Sequence, residues 1–299
     1  MKLGIIVPQG WTGEYAGWEP RRAWRRSLAI ALEAEALGVD SLWAFDHFHT
    51  TPDPTEEITF ESFTLLTALV GATSRVKLGH LVLGAGYRNP ALVAKMASCL
   101  DVISDGRFEL GIGAGWKADE YRGYGYPFPP TRERLELLAD ALEIIRRMTD
   151  GGRATWSGRH ARIDGAVNVP APAPGRLPIL VGGNGERVTW ALAARFADEL
   201  NLDAMAPGRL PGALATIARR CEEAGRDPAT LRVSVHLWLS DREWLRATAE
   251  QDLSTEQLLA RYTEAGVHRV MALVPGCAED PAALARFVRA ARSAGLELA

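Results

Sequence analysis

The sequence predicts an α/β protein built as a single (β/α)8 TIM barrel over residues 1–299, with an insertion after the fourth strand. Three observations carry that prediction. Short apolar runs alternate with longer helical patterns along the whole chain, the signature of βα units around a parallel sheet. Eight such runs are present, and no linker divides them. The length of 299 residues allows two average domains or one large barrel, and eight units use all of it. A doubly wound open sheet shares the alternation, but the count of eight favours the barrel.

Leu3 to Val7 is the first run, followed by a helix over Arg21 to Leu37 with Trp24, Leu28, Ala31 and Leu32 on one face and Gly38 as its stop. Ser41 to Phe45 is the second strand, followed by a helix from about Glu61 to Thr73. The third, Val76 to Leu83, precedes a helix that Asn89 caps and Pro90 starts. Phe108 to Ile112 is the fourth. Ile179 to Val181, Glu199 to Leu202, Leu231 to Leu239 and Arg269 to Val274 complete the eight.

The 63 residues from Trp116 to Pro178 exceed what one crossover helix requires. They read as a loop (Tyr121 to Pro130), a long helix (about Thr131 to Thr149) and a small hairpin around Thr155 to His160. Long loops also follow strand one (Pro8 to Pro20) and strand two (Phe48 to Phe60). All three leave the C-terminal ends of strands, the face on which barrel active sites sit.

Composition narrows the partners. Hydrophobic residues at 47% and charged residues at 24% exclude wholesale disorder and collagen-like or coiled-coil structure. A formal net charge of −3 gives no global attraction to nucleic acid or an anionic membrane. No apolar run approaches the roughly 20 residues that cross a bilayer, and Met1 to Pro8 reads as a buried strand rather than a signal peptide. Cys99, Cys221 and Cys277 are far apart and form no metal-like spacing, which fits a reducing cytoplasm.

Asp46 and His47 end the second strand at the expected rim, where a histidine can shuttle a proton, hydrogen-bond a ligand or stabilise charge. The alternative is a strand-end histidine bonded to a loop carbonyl. His47 and His49 form an HxH pair, but no other histidine ends the fifth or sixth strand, so a catalytic zinc site is not expected. The run Gly182-Gly183-Asn184-Gly185 follows strand five and leads toward a helix from about Glu186, an arrangement that cradles phosphate, or else a structural turn. Gly111, Gly113 and Gly115 fail the dinucleotide spacing because Trp116 holds the last glycine position, and no helix is expected there. They read as close approach to a flat ligand or as packing inside the barrel. Trp11, Tyr15 and Trp18 form either an aromatic wall over a pocket or a packed lid. Arg21, Arg22, Arg25 and Arg26 read as a solvated helix face in preference to a site for an anionic ligand tail.

The ordered set Ser41-Leu-Trp-Ala-Phe-Asp-His-Phe48, Val76-Lys-Leu-Gly79, Tyr87-Arg-Asn-Pro-Ala-Leu-Val-Ala-Lys95, Leu100-Asp-Val-Ile-Ser-Asp-Gly-Arg107, Leu110-Gly-Ile-Gly-Ala-Gly-Trp116 and Pro178-Ile-Leu-Val-Gly-Gly-Asn-Gly185 resembles the luciferase-like monooxygenase superfamily, in its coenzyme F420-dependent branch. The resemblance is strong to about residue 205 and holds only in outline beyond it. It implies a flavin-like ring across the barrel mouth with its phosphate at Gly182 to Gly185, Asp46 and His47 where ring and substrate meet, and a cis peptide near Leu81-Val82 bordering the ring. It further implies that Asn89 and Arg88 border the site and that Trp11 and Trp116 line a substrate pocket. Residues 116–178 become a lid. One departure stands out. Some deazaflavin dehydrogenases carry a glutamate after the strand-four glycines; this chain has Trp116, so that acid is either missing or replaced by Asp119 or Glu120, and a sugar-phosphate substrate is less fitting.

The expected activity is therefore hydride transfer between F420 and a small organic substrate, in a cytoplasmic homodimer. Two alternatives share the barrel: an FMN-dependent two-component monooxygenase served by a flavin reductase, and a non-catalytic flavin-binding protein.

Overall fold

In the computed structural model, residues 1–172, 177–239, 245–246 and 248–298 are described. Eight parallel strands close into a barrel, and each has a run of the predicted eight at its centre. These are β1 (Lys2–Ile6), β2 (Ser41–Ala44), β3 (Lys77–His80), β5 (Phe108–Gly113), β8 (Ile179–Gly182), β9 (Glu199–Asp203), β10 (Arg232–Trp238) and β11 (Arg269–Leu273). Neighbours run β3-β2-β1-β11-β10-β9-β8-β5, and β3 pairs again with β5 to close the ring. The third strand is not the single run that the sequence predicts. It resumes as the two-residue β4 (Leu83–Gly84), which also pairs with β5, and Leu81 and Val82 between the two pieces are joined by a cis peptide bond, as the family resemblance implies.

The barrel helices are α1 (Pro20–Ala36), α2 (Ser62–Ala72), α3 (Pro90–Ile103), α6 (Thr189–Phe196), α7 (Leu210–Glu223), α8 (Thr255–Glu264) and α9 (Ala283–Ser293). Their apolar faces meet the outward faces of the strands in one large core that includes Leu3, Leu42, Leu78, Leu110, Val235 and Val270. Asn89 caps α3 as predicted, its side chain accepting from the backbone N–H groups of Ala91 and Leu92.

Residues 116–178 hold α4 (Ala118–Gly123), α5 (Thr131–Thr149) and an antiparallel hairpin of β6 (Arg153–Ser157) and β7 (Arg162–Val167). α5 matches its predicted bounds. α4 is a correction, since a helix does begin just beyond the strand-four glycines; Asp119 and Glu120 fall in its first turn, where the helix dipole favours negative charge. A second correction concerns the helix after the glycine loop. It starts at Thr189 rather than about Glu186, because Glu186 to Val188 form a turn first.

The floor of the barrel is ionic. Arg269, the first residue of β11, is fully buried and donates to Glu109 (2.8 Å), Glu199 (2.6 Å), Ser41 (2.9 Å) and Asp40 (3.2 Å). These partners sit within one residue of the starts of β5, β9 and β2. Burial disfavours the charged guanidinium; the Glu199 and Glu109 charges outweigh it and hold its pKa above the ordinary value. Above this layer the Trp43 ring, 5.0 Å from the guanidinium, spans the interior. It has room only because Gly4 and Gly79 flank it: a Cβ on either would come within 3 Å of the indole.

Replacing Arg269 with Leu leaves the buried Glu109 and Glu199 with only the longer ion pairs to Lys77 (3.6 Å) and Arg232 (3.4 Å), and we expect a loss of about 3–5 kcal/mol. Urea unfolding measures it. A variant that also carries Glu109→Gln and Glu199→Gln should recover much of that loss, and a single variant within 1 kcal/mol of the parent would show that the layer does not hold the barrel together.

Candidate functional site

The opposite end of the barrel is open. A cavity of about 430 Å³ lies at the C-terminal ends of the strands, a size ordinary for small-molecule sites. Of the residues singled out from sequence, Trp11, Asp46, His47, Leu81, Val82, Trp116, Gly182, Gly183 and Gly185 all line it. Asn89 and Asn184 do not. Asn89 is occupied as the α3 cap, and the Asn184 amide bonds both the backbone carbonyl and the backbone N–H of Asp203, which ties the glycine loop to the end of β9.

Asp46 is a buried anchor. Arg88 grips it through two bonds (2.8 and 2.9 Å), the Ser62 hydroxyl donates at 2.9 Å, and the Gly84 N–H donates at 3.0 Å. Both oxygens are thus committed to fixing β4, α2 and the segment before α3 around the end of β2. The geometry suits positioning better than proton exchange.

His47 is placed differently. Its ring stacks flat on Trp11 with centroids 4.0 Å apart, and the exposed Trp116 stands edge-on at 5.8 Å. Nδ1 lies 2.8 Å from Glu120 Oε2. Glu120, fully buried on α4, also accepts from the Tyr87 hydroxyl (2.8 Å) and the Phe48 N–H (3.0 Å). Burial would raise the Glu120 carboxyl, but the His47 contact and these other bonds outweigh it and hold it below its ordinary 4.5. An ionised carboxylate only accepts, so Nδ1 carries the hydrogen and Nε2 remains for the cavity. Of the two replacements left open by the sequence, Glu120 is the one that reaches His47; Asp119 instead pairs with Lys117 at 2.9 Å.

Val82 forms part of the wall between Gly113 and Gly182, where a Cβ on either glycine would come within 3 Å of its methyl groups. The other strand-four glycines serve packing: a Cβ on Gly111 would strike the His80 carbonyl, and one on Gly115 the Tyr121 hydroxyl. Beyond the glycine loop, α6 begins without a side-chain cap, although the Trp190 N–H in its first turn already bonds the Gly185 carbonyl at 3.1 Å. Arg134 of α5 lines the same cavity, and its Nε and Nη1 are buried with no protein acceptor.

The far wall is made by Asp203, His236 and Trp238, which the sequence reading did not assign to the site. His236 Nδ1 lies 3.0 Å from Asp203 Oδ1, and the Trp238 indole N–H donates to the same oxygen at 3.1 Å. Partial desolvation pushes the Asp203 carboxyl up; these bonds more than offset it and hold it below its ordinary value. The aromatic first loop divides its labour: Trp11 reaches the cavity, whereas Tyr15 is buried against Ala23 and Ala278 and bonds Ser27. Arg26 is not solvated as predicted, because its guanidinium bonds the carbonyls of Cys277 and Ala278.

A parallel barrel with a largely apolar cavity at its strand ends, furnished with a few polar side chains, defines a small-molecule site of the enzyme-barrel kind. The chain belongs to the luciferase-like monooxygenase family, whose family model matches residues 1–262. It is 34% identical over 210 residues to the F420-dependent hydroxymycolic acid dehydrogenase of Mycobacterium tuberculosis, covering 69% of this chain and 56% of that one. The chain spans about half the length of the curated relatives it matches. Among solved structures, an F420-dependent secondary alcohol dehydrogenase in complex with an F420-acetone adduct superposes with a TM-score of 0.80 at 19% identity, over 98% of both chains. The FMN-bound oxygenating constituent of 3,6-diketocamphane monooxygenase from Pseudomonas putida superposes at 0.75 with 16% identity, over 100% of this chain and 99% of that one. At those identities the two structures establish the fold alone. No helix among the described residues is long and apolar enough to cross a membrane.

Because the ionised Glu120 is the better-bonded form, its contribution to stability is complete above its ordinary 4.5 and is lost as pH falls through its lowered folded value. Glu120→Gln should therefore cost about 1.5–3 kcal/mol at pH 7, and the gap to the parent should narrow as pH falls below 4.5. Denaturant midpoints of both proteins across that range provide the check; a gap independent of pH would contradict the assignment.

Proposed function

We propose that the protein is an oxidoreductase that moves a hydride between coenzyme F420 and a small organic substrate. The observation that carries the reading is the His47–Glu120 pair, which leaves one imidazole nitrogen for a cavity whose wall beside His47 is aromatic, formed by Trp11, Phe45 and Trp116. Reducing a carbonyl requires a hydride on carbon and a proton on oxygen. In that direction protonated His47 gives the proton from Nε2, and in reverse the neutral ring takes it from the alcohol. Glu120 steadies the imidazolium while it holds the extra proton, and the flat stack on Trp11 fixes the ring plane.

The residues present suit an anionic cofactor with a flat ring. Arg134 offers its buried Nε and Nη1, which lack an acceptor, and the loop of Gly182, Gly183 and Gly185, without side chains in the way, lets a phosphate approach closely; together they would hold it. Leu81 and Val82 would border the ring. When bound, the deazaflavin supplies hydride chemistry at its C5 and does not activate oxygen as a flavin does. Trp11 and Trp116 would flank the substrate, and α4 and α5 over the mouth would keep water out. The names of several relatives, which are F420-dependent dehydrogenases, support the same choice of cofactor.

Separate titrations with F420 and FMN, followed by absorbance and fluorescence, test the reading. We expect F420 to bind, and His47→Asn to retain that affinity within a few-fold while hydride transfer falls by roughly 10²–10⁴. Tight FMN binding without F420 binding would overturn it in favour of a monooxygenase supplied by a reductase.

A further inference from the structure

We propose that His236, oriented by Asp203, is a second hydrogen-bonding post of the cavity, one that accepts a hydrogen from an N–H or O–H group of the bound ligand. The inference rests on the reading of this cavity as a deazaflavin site.

The strand register sets up the post. β9 and β10 run parallel with Asn201 opposite Ser234 and Asp203 opposite His236. Side chains two apart along a strand share a face, so Ser234, His236 and Trp238 form one inward row and Asn201 and Asp203 another. On the lower rung Asn201 Nδ2 donates to Ser234 Oγ at 3.0 Å, which closes that rung within the protein. The upper rung stays open. Asp203 takes His236 Nδ1 and the Trp238 indole on one oxygen. Since a carboxylate accepts only, Nδ1 carries the hydrogen and Nε2 presents a bare lone pair.

That lone pair is the second, independent observation. His236 is 4% exposed, it lines the cavity, and its Nε2 is buried with no hydrogen-bond partner. Folded proteins seldom leave a buried acceptor bare, because the group loses water and gains nothing. The rings of Phe45, at 5.4 Å, and Trp238, at 4.5 Å, wall it in, so a hydrogen bond formed there would be shielded from competing water. His80, the other histidine with bare nitrogens, makes an instructive contrast. It is fully buried against Phe63 and Phe108, it does not line the cavity, and burial holds its imidazole neutral.

The two cavity histidines thus have different neighbours and different tasks. His47 stands beside the Glu120–Tyr87 network at the end of β2, and His236 faces the lumen from β10 with the Phe45 ring between them. The donor that reaches His236 belongs either to the cofactor, through a ring N–H or a hydroxyl of its side chain, or to an alcohol substrate.

Uniformly ¹⁵N-histidine-labelled protein distinguishes these sources. The His236 Nε2 resonance, assigned by its loss in His236→Phe and His236→Gln, is followed first on addition of oxidised F420 and then of isopropanol as an alcohol probe. A shift toward the hydrogen-bonded position on adding F420, with F420 affinity lowered roughly tenfold in both variants, supports the post and assigns it to the cofactor. A shift only with isopropanol, at unchanged F420 affinity, supports it and assigns it to the substrate. Asp203→Asn should convert the single tautomer of His236 into a mixture, a signature that loss of packing alone would not give. If F420 binds and the resonance moves with neither probe, the proposal is overturned. If F420 does not bind at all, the cofactor reading falls separately, and FMN replaces F420 in the same titration under the same criterion.

Discussion

A buried guanidinium holds the two halves of this barrel in one register. Arg269 reaches the starts of three other strands at once, and because its partners come from β2, β5 and β9, the ring cannot slip by a residue at any of those places without stranding a charge. Apolar packing alone would not impose that penalty, since a shifted Leu or Val finds another apolar neighbour. With the floor fixed, the alternation of each strand determines which residues face inward at the top.

The site follows from that registration. β9 and β10 carry polar residues inward at every second position, and the last rung delivers Asp203 and His236 to the cavity. β2 behaves in the same manner: Ser41 and Trp43 face the interior floor, Phe45 continues the row into the cavity, and Asp46 and His47 turn out of the strand at its rim. The two ends of the barrel thus use charge oppositely. At the bottom the charges neutralise one another within the protein. At the top several hydrogen-bonding atoms remain open, on Arg134, His47 and His236, and these face the space that a ligand would fill.

Elements whose cause is local were legible in the sequence. The apolar runs located every barrel strand, Asn89-Pro90 marked the start of α3, and periodicity gave α5 to its last residue. Glycine spacing located the loop at Gly182, because that loop's shape depends on its own backbone. The errors share a different cause. α4 is a single turn and a half whose helical pattern is too short to register against the aromatic loop that follows. The true start of α6 depends on a turn at Glu186 to Val188 that carries no capping side chain to signal it. Arg26 looked solvated because its acceptors, Cys277 and Ala278, lie at the other end of the chain.

The same distinction separates the site residues that were found from those that were not. His47 could be identified because it follows a strand, whereas the identity of its partner required the fold of the insertion: 73 positions separate it from Glu120, and only the return of α4 across the barrel mouth brings the carboxylate to Nδ1. A chain that lacks a glutamate directly after the strand-four glycines can therefore still present one to the imidazole, since a helix begun two residues beyond Trp116 turns Glu120 inward. The position of an acid in the sequence is then a weaker guide to its role than the direction from which it reaches the ring. Glu120 approaches Nδ1, so it sets the tautomer of His47 and leaves Nε2 free of that bond. Asp203 has the same relation to His236, and the recurrence of this arrangement on two walls of one cavity follows from the chemistry of imidazole: fixing one nitrogen on a carboxylate is what makes the other a defined acceptor.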